Sequence, residues 1–431
     1  MMSIKKIVVL GGNGAMGSSS GAVFAMTGIP TQLLARTLDK AQAGRARAEQ
    51  LAKGRIAAGS IQCGSYEELE EALRDADLIL EAVAESLAIK RELLARVDRL
   101  RSPSSIVATV TSGLSIATLC AERSASFQRN FLGIHLFNPP TSICGCELIA
   151  HAGTDPGVIM LIRDFLTSAC AREVVETTDS PGFAGNRIGF KVLNEVAQLA
   201  EEHGVAFMDH LLGSHTGRAL PPLGTIDLVG WDVHAAIVDH LRASTYDIAH
   251  DAFTLPAYMR RGLAAGTLGR KTRDKGGFFR IDGKGDEARH FVLDPATGDY
   301  RPLELASTEL ADTMKAAIRG GRHVDAMEVF CTAEGREAEL LRRILLGYIS
   351  YALGLVGEVV AQARDIDRIM GFGFLWAPPG VLVDAIGARR TITMLDRAKL
   401  PVPPVILDSA THERPLFTEP LDRSRYFAVA A

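Results

Sequence analysis

The run Ile7-Val8-Val9-Leu10 passes through Gly11 directly into Gly12-Asn13-Gly14-Ala15-Met16-Gly17, and a helical pattern follows. A short strand buried on both faces, a G-x-G-x-x-G turn and an opening helix, in that order, leave few folds available. Gly12 is expected to allow the tight turn, Gly14 to let the backbone approach a pyrophosphate, and Gly17 to let helix and strand pack closely. The N–H groups at the helix start, around Ala15 and Met16, would then face phosphates. These residues are therefore candidates for a dinucleotide site. Taken alone, the motif would also describe a mere tight turn; its place between strand and helix gives it content.

The alternation continues downstream. Strands are expected at Gln32–Leu34, Leu78–Val83, Ile106–Val110 and Phe131–Phe137. Helices are expected at Ala15–Met26, Ala41–Ile56 and Ala88–Leu100. Strands alternating with helices mean an α/β fold with a doubly wound parallel sheet, a Rossmann domain. After about Ser180 the period becomes helical, with runs at Ile188–His203, Val233–His240 and Pro256–Ala265. A hairpin is expected near 277–302, and helices again to about Asp396. The expected organisation is a Rossmann domain over 1–181, a first helical domain over 182–280 and a hairpin and linker over 281–334. A second helical module over 335–397 and a Pro-rich surface arm over 398–431 complete it. The two helical parts share a pattern. Asn194-Glu195-Val196, Met208-Asp209-His210 and Leu223–Gly230 are echoed by Gly357-Glu358-Val359, Ile366-Asp367-Arg368 and Pro379–Gly387. That points to two copies of one helical module.

Bulk properties exclude several classes. A chain of 431 residues exceeds one ordinary domain, and 47% hydrophobic residues mark it as globular. Lys and Arg number 47 against 51 Asp and Glu, a net charge of −4, so no global field favours nucleic acid or an anionic membrane. The Ile7–Leu10 run is too short for a signal peptide, and no stretch approaches the roughly 18 apolar residues of a membrane span. The six cysteines show neither zinc spacing nor Cys-x-x-Cys, so no metal is expected and the compartment is read as cytoplasmic.

Two further positions bear on chemistry. His135 lies near the end of an expected strand, and Glu147 follows twelve residues later at the head of the next apolar run. A carboxylate fixes the tautomer of such a His and stabilises its imidazolium, which makes a general base. On these residues alone a buried structural histidine is an equal reading. The second expected strand should end in Asp or Glu to bind the adenosine ribose, but that position is Ala35, followed by Arg36. A missing acid beside a cation accommodates a 2′-phosphate. Arg36 as a solvated residue, or Asp39 as a compensating acid, are the alternatives.

Several motifs in order resemble the 3-hydroxyacyl-CoA dehydrogenase family. Gly133-Ile134-His135-Leu136-Phe137-Asn138-Pro139, with Glu147, resembles its G-x-H-F-F-N-P and following Glu. Glu81-Ala82-Val83-Ala84-Glu85-Ser86, Thr111-Ser112 and Asp179–Arg187 resemble further family segments, as do Lys271-Thr272 and Gly277-Phe278-Phe279. The resemblance covers about residues 4–280, and the later module is similar to a second C-terminal domain of long fatty-acid-oxidation proteins. It implies a reversible NAD-linked oxidation of (S)-3-hydroxyacyl-CoA to 3-ketoacyl-CoA. His135 would be the base, Glu147 its orienting partner, Ser112 would bind the substrate oxygen, and Asn186 would help hold that oxygen or the catalytic His. Glu85 and Lys90 would lie on the cofactor side, although Glu85 as a helix cap is an equal reading. Asn138, Lys53 and Arg55 would contact substrate, the last two on a basic stretch with Arg45 and Arg47 that is otherwise a solvated face. The sequence departs from the family at Val110 (usually Asn), Ala35, Ser18-Ser19 and Arg273-Asp274-Lys275. The alternatives are an NADP(H)-linked reductase and a non-catalytic nucleotide- or acyl-CoA-binding subunit. A separate enoyl-CoA hydratase or thiolase would be the partner, since 431 residues leave no room for a hydratase half. The chain would be a monomer with an internal pseudo-dimer, or a homodimer.

Overall fold

The computed structural model describes residues 4–272, 274–304, 306–418 and 426–427. It divides into two compact units: the chain up to Phe183 with Glu358–Val360, and Ala184–Gly357 with the chain from Ala361.

The first unit opens with β1 (Ile7–Leu10), α1 (Ala15–Ala25), β2 (Thr31–Ala35), α2 (Leu38–Ala52), β3 (Ile61–Ser65), α3 (Leu69–Leu73), β4 (Leu78–Glu81) and α4 (Leu87–Leu100). It continues with β5 (Ile106–Thr109), α5 (Ile116–Cys120), α6 (Ala125–Arg129), β6 (Phe131–Leu136), β7 (Gly145–Ile149), α7 (Pro156–Asp164) and β8 (Glu173–Thr177). The eight strands lie in the order β3-β2-β1-β4-β5-β6-β7-β8. Alternate β1 residues enter different cores, which is why the run is continuously apolar. Ile7 and Val9 pack with Phe24, Leu33 and Leu80 on one face. Val8 and Leu10 pack with Leu94, Val97 and Phe127 on the other.

The sheet is not wholly parallel, contrary to expectation. The β6–β7 pair is antiparallel, whereas β7–β8 is parallel again. Strands β3, β7 and β8 were not expected as such. Ile61-Gln62-Cys63-Gly64-Ser65 and Glu173-Val174-Val175-Glu176-Thr177 have polar residues within them, so neither offers the continuous apolar run of a central strand. Among the described residues, no helix is long and apolar enough to cross a membrane.

The second unit starts with α8 (Gly185–His203), α9 (Val205–Leu211), α10 (Pro222–Val229), α11 (Trp231–Ser244) and α12 (Ala257–Ala264). The expected hairpin is a three-stranded antiparallel sheet of β9 (Phe279–Asp282), β10 (Arg289–Leu293) and β11 (Tyr300–Pro302). Then come α13 (Glu309–Arg319), α14 (His323–Thr332), α15 (Arg336–Gly354), α16 (Ala363–Ile369), α17 (Pro379–Ile386), α18 (Ala388–Arg397) and α19 (Pro404–His412). The last helix corrects the expectation of an arm without a period. Pro404 sits at its first turn, where a missing N–H costs nothing.

The internal repeat has a physical basis. Asp209 accepts the Leu223 and Gly224 amides at 2.8 Å, capping α10, and Asp367 accepts the Gly380 amide at 2.8 Å, at the start of α17. Asp227 accepts the amides of Phe278 and Phe279, both at 2.8 Å, and Asp384 those of Leu416 and Phe417, at 2.9 and 2.8 Å. The expected match of Asn194-Glu195-Val196 with Gly357-Glu358-Val359 does not hold. The first triplet lies in α8, whereas the second lies beyond the end of α15 and Val359 accepts the Thr178 amide in the first unit.

Candidate active site

Parallel β1, β4, β5 and β6 end at one edge of the sheet. The glycine turn, the β4–α4 and β5–α5 connections and His135 therefore share that edge, where ligands of such sheets bind.

At the first of these, Gly11 rather than Gly12 takes the left-handed conformation, at φ 80°. Gly12 is needed for contact: a Cβ there would lie 2.7 Å from the Leu33 Cβ. At Gly17 a Cβ would lie 2.2 Å from the Gly11 carbonyl oxygen, so α1 packs directly on the turn. Gly14 is the N-cap of α1 and gives no side-chain cap. The Ser18 amide makes a bond to the Gly14 carbonyl, which leaves the amides of Ala15, Met16 and Gly17 at the helix end. That is a cradle for a pyrophosphate. Ser18 and Ser19 turn their hydroxyls back onto the Gly14 and Ala15 carbonyls, at 2.8 and 2.6 Å.

Ala35 is the last residue of β2 and is buried, and Arg36 is exposed beside it. Asp39 lies in the first turn of α2, which Thr37 caps through the Lys40 amide. The basic stretch is shorter than expected: α2 stops at Ala52, and Lys53 takes a left-handed φ of 49°. Lys53 and Arg55 are exposed. Arg55 donates to the Ala52 and Thr141 carbonyls at 3.0 and 3.4 Å, Arg47 to the Asn13 carbonyl at 3.5 Å.

His135 and Glu147 are direct cross-strand partners of the antiparallel β6–β7 pair. Opposed residues of such a pair place their side chains on one face. The His135 Nδ1 lies 2.6 Å from a Glu147 carboxylate oxygen. Glu147 is fully buried and His135 is 5% exposed, beside the rings of Phe137 and Phe183. With Nδ1–H donating to the carboxylate, Nε2 carries the free lone pair. Asn138 follows on the exposed loop after β6.

Glu85 does not cap α4, whose N-cap is Ser86. One Glu85 oxygen accepts the Thr111 hydroxyl at 2.5 Å and the Ser112 amide at 2.8 Å. Its other oxygen lies 3.3 Å from the Lys90 amine. Lys90 is sealed from solvent and contacts both oxygens of buried Glu81 at 2.9 Å. Ser112 is half-buried. Asp179, in a motif that sequence matching gave no role, holds the start of α5 through the Ser115 hydroxyl and the Ile116 and Ala117 amides. Asn186 belongs to the second unit, buried in the first turn of α8. Arg273, one of the expected departures, lies outside the described residues.

The description "3-hydroxyacyl-CoA dehydrogenase, NAD binding domain" matches residues 6–180, and "3-hydroxyacyl-CoA dehydrogenase, C-terminal domain" matches 182–278. A "Probable 3-hydroxyacyl-CoA dehydrogenase" of Deinococcus radiodurans is 33% identical over 293 residues, covering 65% of this chain and 83% of that protein. The chain belongs to the 3-hydroxyacyl-CoA dehydrogenase family. A relative of the same description from Bacillus subtilis is 29% identical over 433 residues, covering 93% of this chain and 53% of that protein. The chain thus spans about half the length of that relative. The crystal structure of 3-hydroxybutyryl-CoA dehydrogenase from Escherichia coli K12 has the same fold. It is 19% identical, with a TM-score of 0.70 over 96% of this chain and 99% of that one.

Among the described residues, no cluster of His, Cys, Asp and Glu could hold a metal. Burial pushes the thiol of Cys120 up to about 11 and that of Cys170 up to about 12, which keeps both in the protonated form near neutral pH. The residues present fit a nicotinamide dinucleotide: a glycine turn that tolerates no Cβ at Gly17, with amides at a helix end, on the same sheet edge as a carboxylate-held histidine.

Proposed function

We propose that this chain interconverts (S)-3-hydroxyacyl-CoA and 3-ketoacyl-CoA, with His135 as the general base. The observation that carries this reading is the 2.6 Å contact of His135 Nδ1 with buried Glu147. NAD, when bound, supplies the acceptor for the hydride that leaves C3. His135 Nε2 takes the proton of the 3-hydroxyl in that direction and returns it in the other. Glu147 holds the tautomer that leaves Nε2 free and balances the imidazolium. Ser112 binds the substrate oxygen, and Asn138, Lys53 and Arg55 contact the rest of the substrate. The amides around Ala15 and Met16 bind the pyrophosphate. A separate hydratase would supply the 3-hydroxyacyl-CoA by adding water to an enoyl-CoA, and a thiolase would consume the 3-ketoacyl-CoA.

A second reading, NADP(H)-linked reduction of 3-ketoacyl-CoA, is favoured by buried Ala35 and exposed Arg36 at the end of β2. Turnover of 3-ketoacyl-CoAs from four to sixteen carbons, with NADH and NADPH side by side, separates the two. In the same assay His135→Ala lowers turnover by roughly two to four decades, as loss of a general base does. Glu147→Gln impairs turnover by favouring the wrong tautomer. Wild-type turnover by His135→Ala on every active substrate would remove the base from the mechanism.

A further inference from the structure

The two copies of the helical module differ at one place that the repeat lets us match residue by residue. Asp209 and Asp227 in the first copy correspond to Asp367 and Asp384 in the second. Ala206, His210, Phe279 and Arg280 therefore correspond to Arg364, Arg368, Phe417 and Thr418. In the second copy these residues, with Phe372 and Tyr426, leave a cavity of about 10 Å³ between them. Tyr426 is buried there. In the first copy the same positions border a cavity of about 680 Å³. Ala206 stands where the second copy has an arginine. After Arg280 the chain continues through β9, β10 and β11 and returns at Leu303 as a further wall, so no aromatic ring is laid inside. The apolar lining is Ala206, Leu220, Pro221, Phe279, Ile281 and Leu303. Leu220 and Ile281 remain 36% and 45% exposed. A concave, largely apolar site of this size is in the range that holds a small molecule.

The charges on the walls narrow the choice of ligand. Asp209 and Asp227 are buried and take amides on their oxygens. Burial pushes their carboxyls up to about 7 and about 6, so near neutral pH they carry less negative charge than exposed acids do. Arg270 pulls Asp227 the other way without offsetting its burial. Arg280 is paired with Asp282 at 3.0 Å. His210 rests against the Lys315 amine at 3.1 Å, and Asp312 lies 3.4 Å from it. That leaves two exposed charges on the lining, Arg270 and Glu304, neither with a hydrogen bond or ion pair among the described residues. We propose that this cavity binds a monocarboxylate with an alkyl or aryl body. The body fills the space that the rings of Phe417 and Tyr426 close in the second copy, and the carboxylate pairs with Arg270. A guanidinium suits the post because it offers a carboxylate two parallel N–H groups. Glu304, on the returning wall, opposes the carboxylate and limits its affinity. The cavity is walled by the helical unit alone, so the proposal goes beyond the reaction assigned to His135 and does not depend on it.

The test is calorimetric titration of the full chain with dodecanoate and with 4-phenylbutyrate, which separates an alkyl from an aryl body. Dodecylamine tests the sign of the charge. At least one carboxylate is expected to bind saturably at a single site and to raise Tm, because a ligand of the folded state stabilises it. Dodecylamine binds at least about 10-fold more weakly, and Arg270→Gln weakens the carboxylate by roughly 10-fold, the effect of losing one charge-assisted pair. Glu304→Gln strengthens it by about 2- to 5-fold, since a like charge is removed. Ala206→Trp fills the cavity from α9 and abolishes binding. Leu220→Trp, at a part-exposed position on the opposite wall, does the same where Ala206→Trp fails to fold. Saturating acetoacetyl-CoA leaves carboxylate binding unchanged. The proposal is overturned if neither carboxylate binds, if dodecylamine binds more tightly, if acetoacetyl-CoA competes, or if binding survives Arg270→Gln and the tryptophan variants unaltered. Failure of the reading at His135 looks different: His135→Ala then keeps wild-type turnover, whatever these titrations show.

Discussion

Ala35 closes β2 as a buried residue whose neighbour Arg36 reaches solvent, so the strand end offers no carboxylate to a ribose. A carboxylate there would repel a 2′-phosphate by Coulomb interaction at close range. Ala35→Asp is therefore expected to shift selectivity toward NAD over NADP by about tenfold, ~1.4 kcal/mol of differential binding. Paired Kd measurements check it, and an unchanged ratio would take this position out of cofactor choice. At this scale the sequence showed the reagents better than their connections. The glycine turn was legible because it is contiguous. His135 and Glu147 were legible as a motif, but their direct opposition depends on the antiparallel register of β6 and β7, which a spacing of twelve does not specify. The Glu85–Ser112 bond joins residues 27 apart across two strand ends and has no sequence pattern at all. Lys90 illustrates the limit: residue type and place do not disclose that its amine bonds both oxygens of buried Glu81.

Secondary-structure elements were legible where one face or both faces are uniformly apolar. β1 was placed at Ile7–Leu10 and α4 within a residue of its start, because their burial is dictated by their own side chains. β3, β7 and β8 gave weaker signals because pairing with a neighbour, rather than composition, makes them strands. The α10 and α17 repeats show what burial does to one arrangement. Asp227 is 2% exposed and accepts the amides of Phe278 and Phe279 and the Trp231 indole N–H at 2.8 Å. Asp384 accepts two amides in the same manner but is itself exposed, and Leu416 and Phe417 are only partly buried. Asp227→Ala strands three donors, of which the Trp231 indole N–H and the Phe278 amide are buried, at a cost of about 1–3 kcal/mol for each buried group left unmade. Asp384→Ala lets water take the place of the carboxylate. Thermal unfolding is expected to show a markedly larger loss of Tm for Asp227→Ala than for Asp384→Ala; equal losses would mean that burial does not set the cost.

Within the helical unit, α8 and α15 run antiparallel in strict step. Arg187 meets the Tyr351 hydroxyl at 3.1 Å, and a Cβ on Gly347 would lie 3.2 Å from the Lys191 amine. Farther along, Glu195 meets Arg343 at 3.4 Å, and Glu202 meets Arg336 at 2.6 Å. Each advance along α8 is thus matched by an equal retreat along α15. Gly189 makes the closest passage, since a Cβ there would lie 2.1 Å from the Phe374 ring. Arg218, fully buried, lies over the Trp376 ring at 4.8 Å, and the Ala377 amide bonds the Gly217 carbonyl at 2.5 Å. One copy of the helical module therefore already covers the face of the other, and the covalent link gives this pairing a high effective concentration against a second chain. We expect the 431-residue chain to be monomeric, with light scattering returning a mass near 46.2 kDa across a wide concentration range. Gly189→Val should lower stability by about 1–3 kcal/mol, the usual cost of overpacking a filled contact. The added methyl groups have nowhere to go but into Phe374, so the ring must leave its seat between α8 and Trp376. Such a variant is expected to unfold at lower temperature and to self-associate as the module faces part, since each exposed face is then free to find its counterpart on another chain. A dimeric wild type, or a Gly189→Val chain as stable and as monomeric as wild type, would mean that the packing of α8 on the second helical module does not govern assembly.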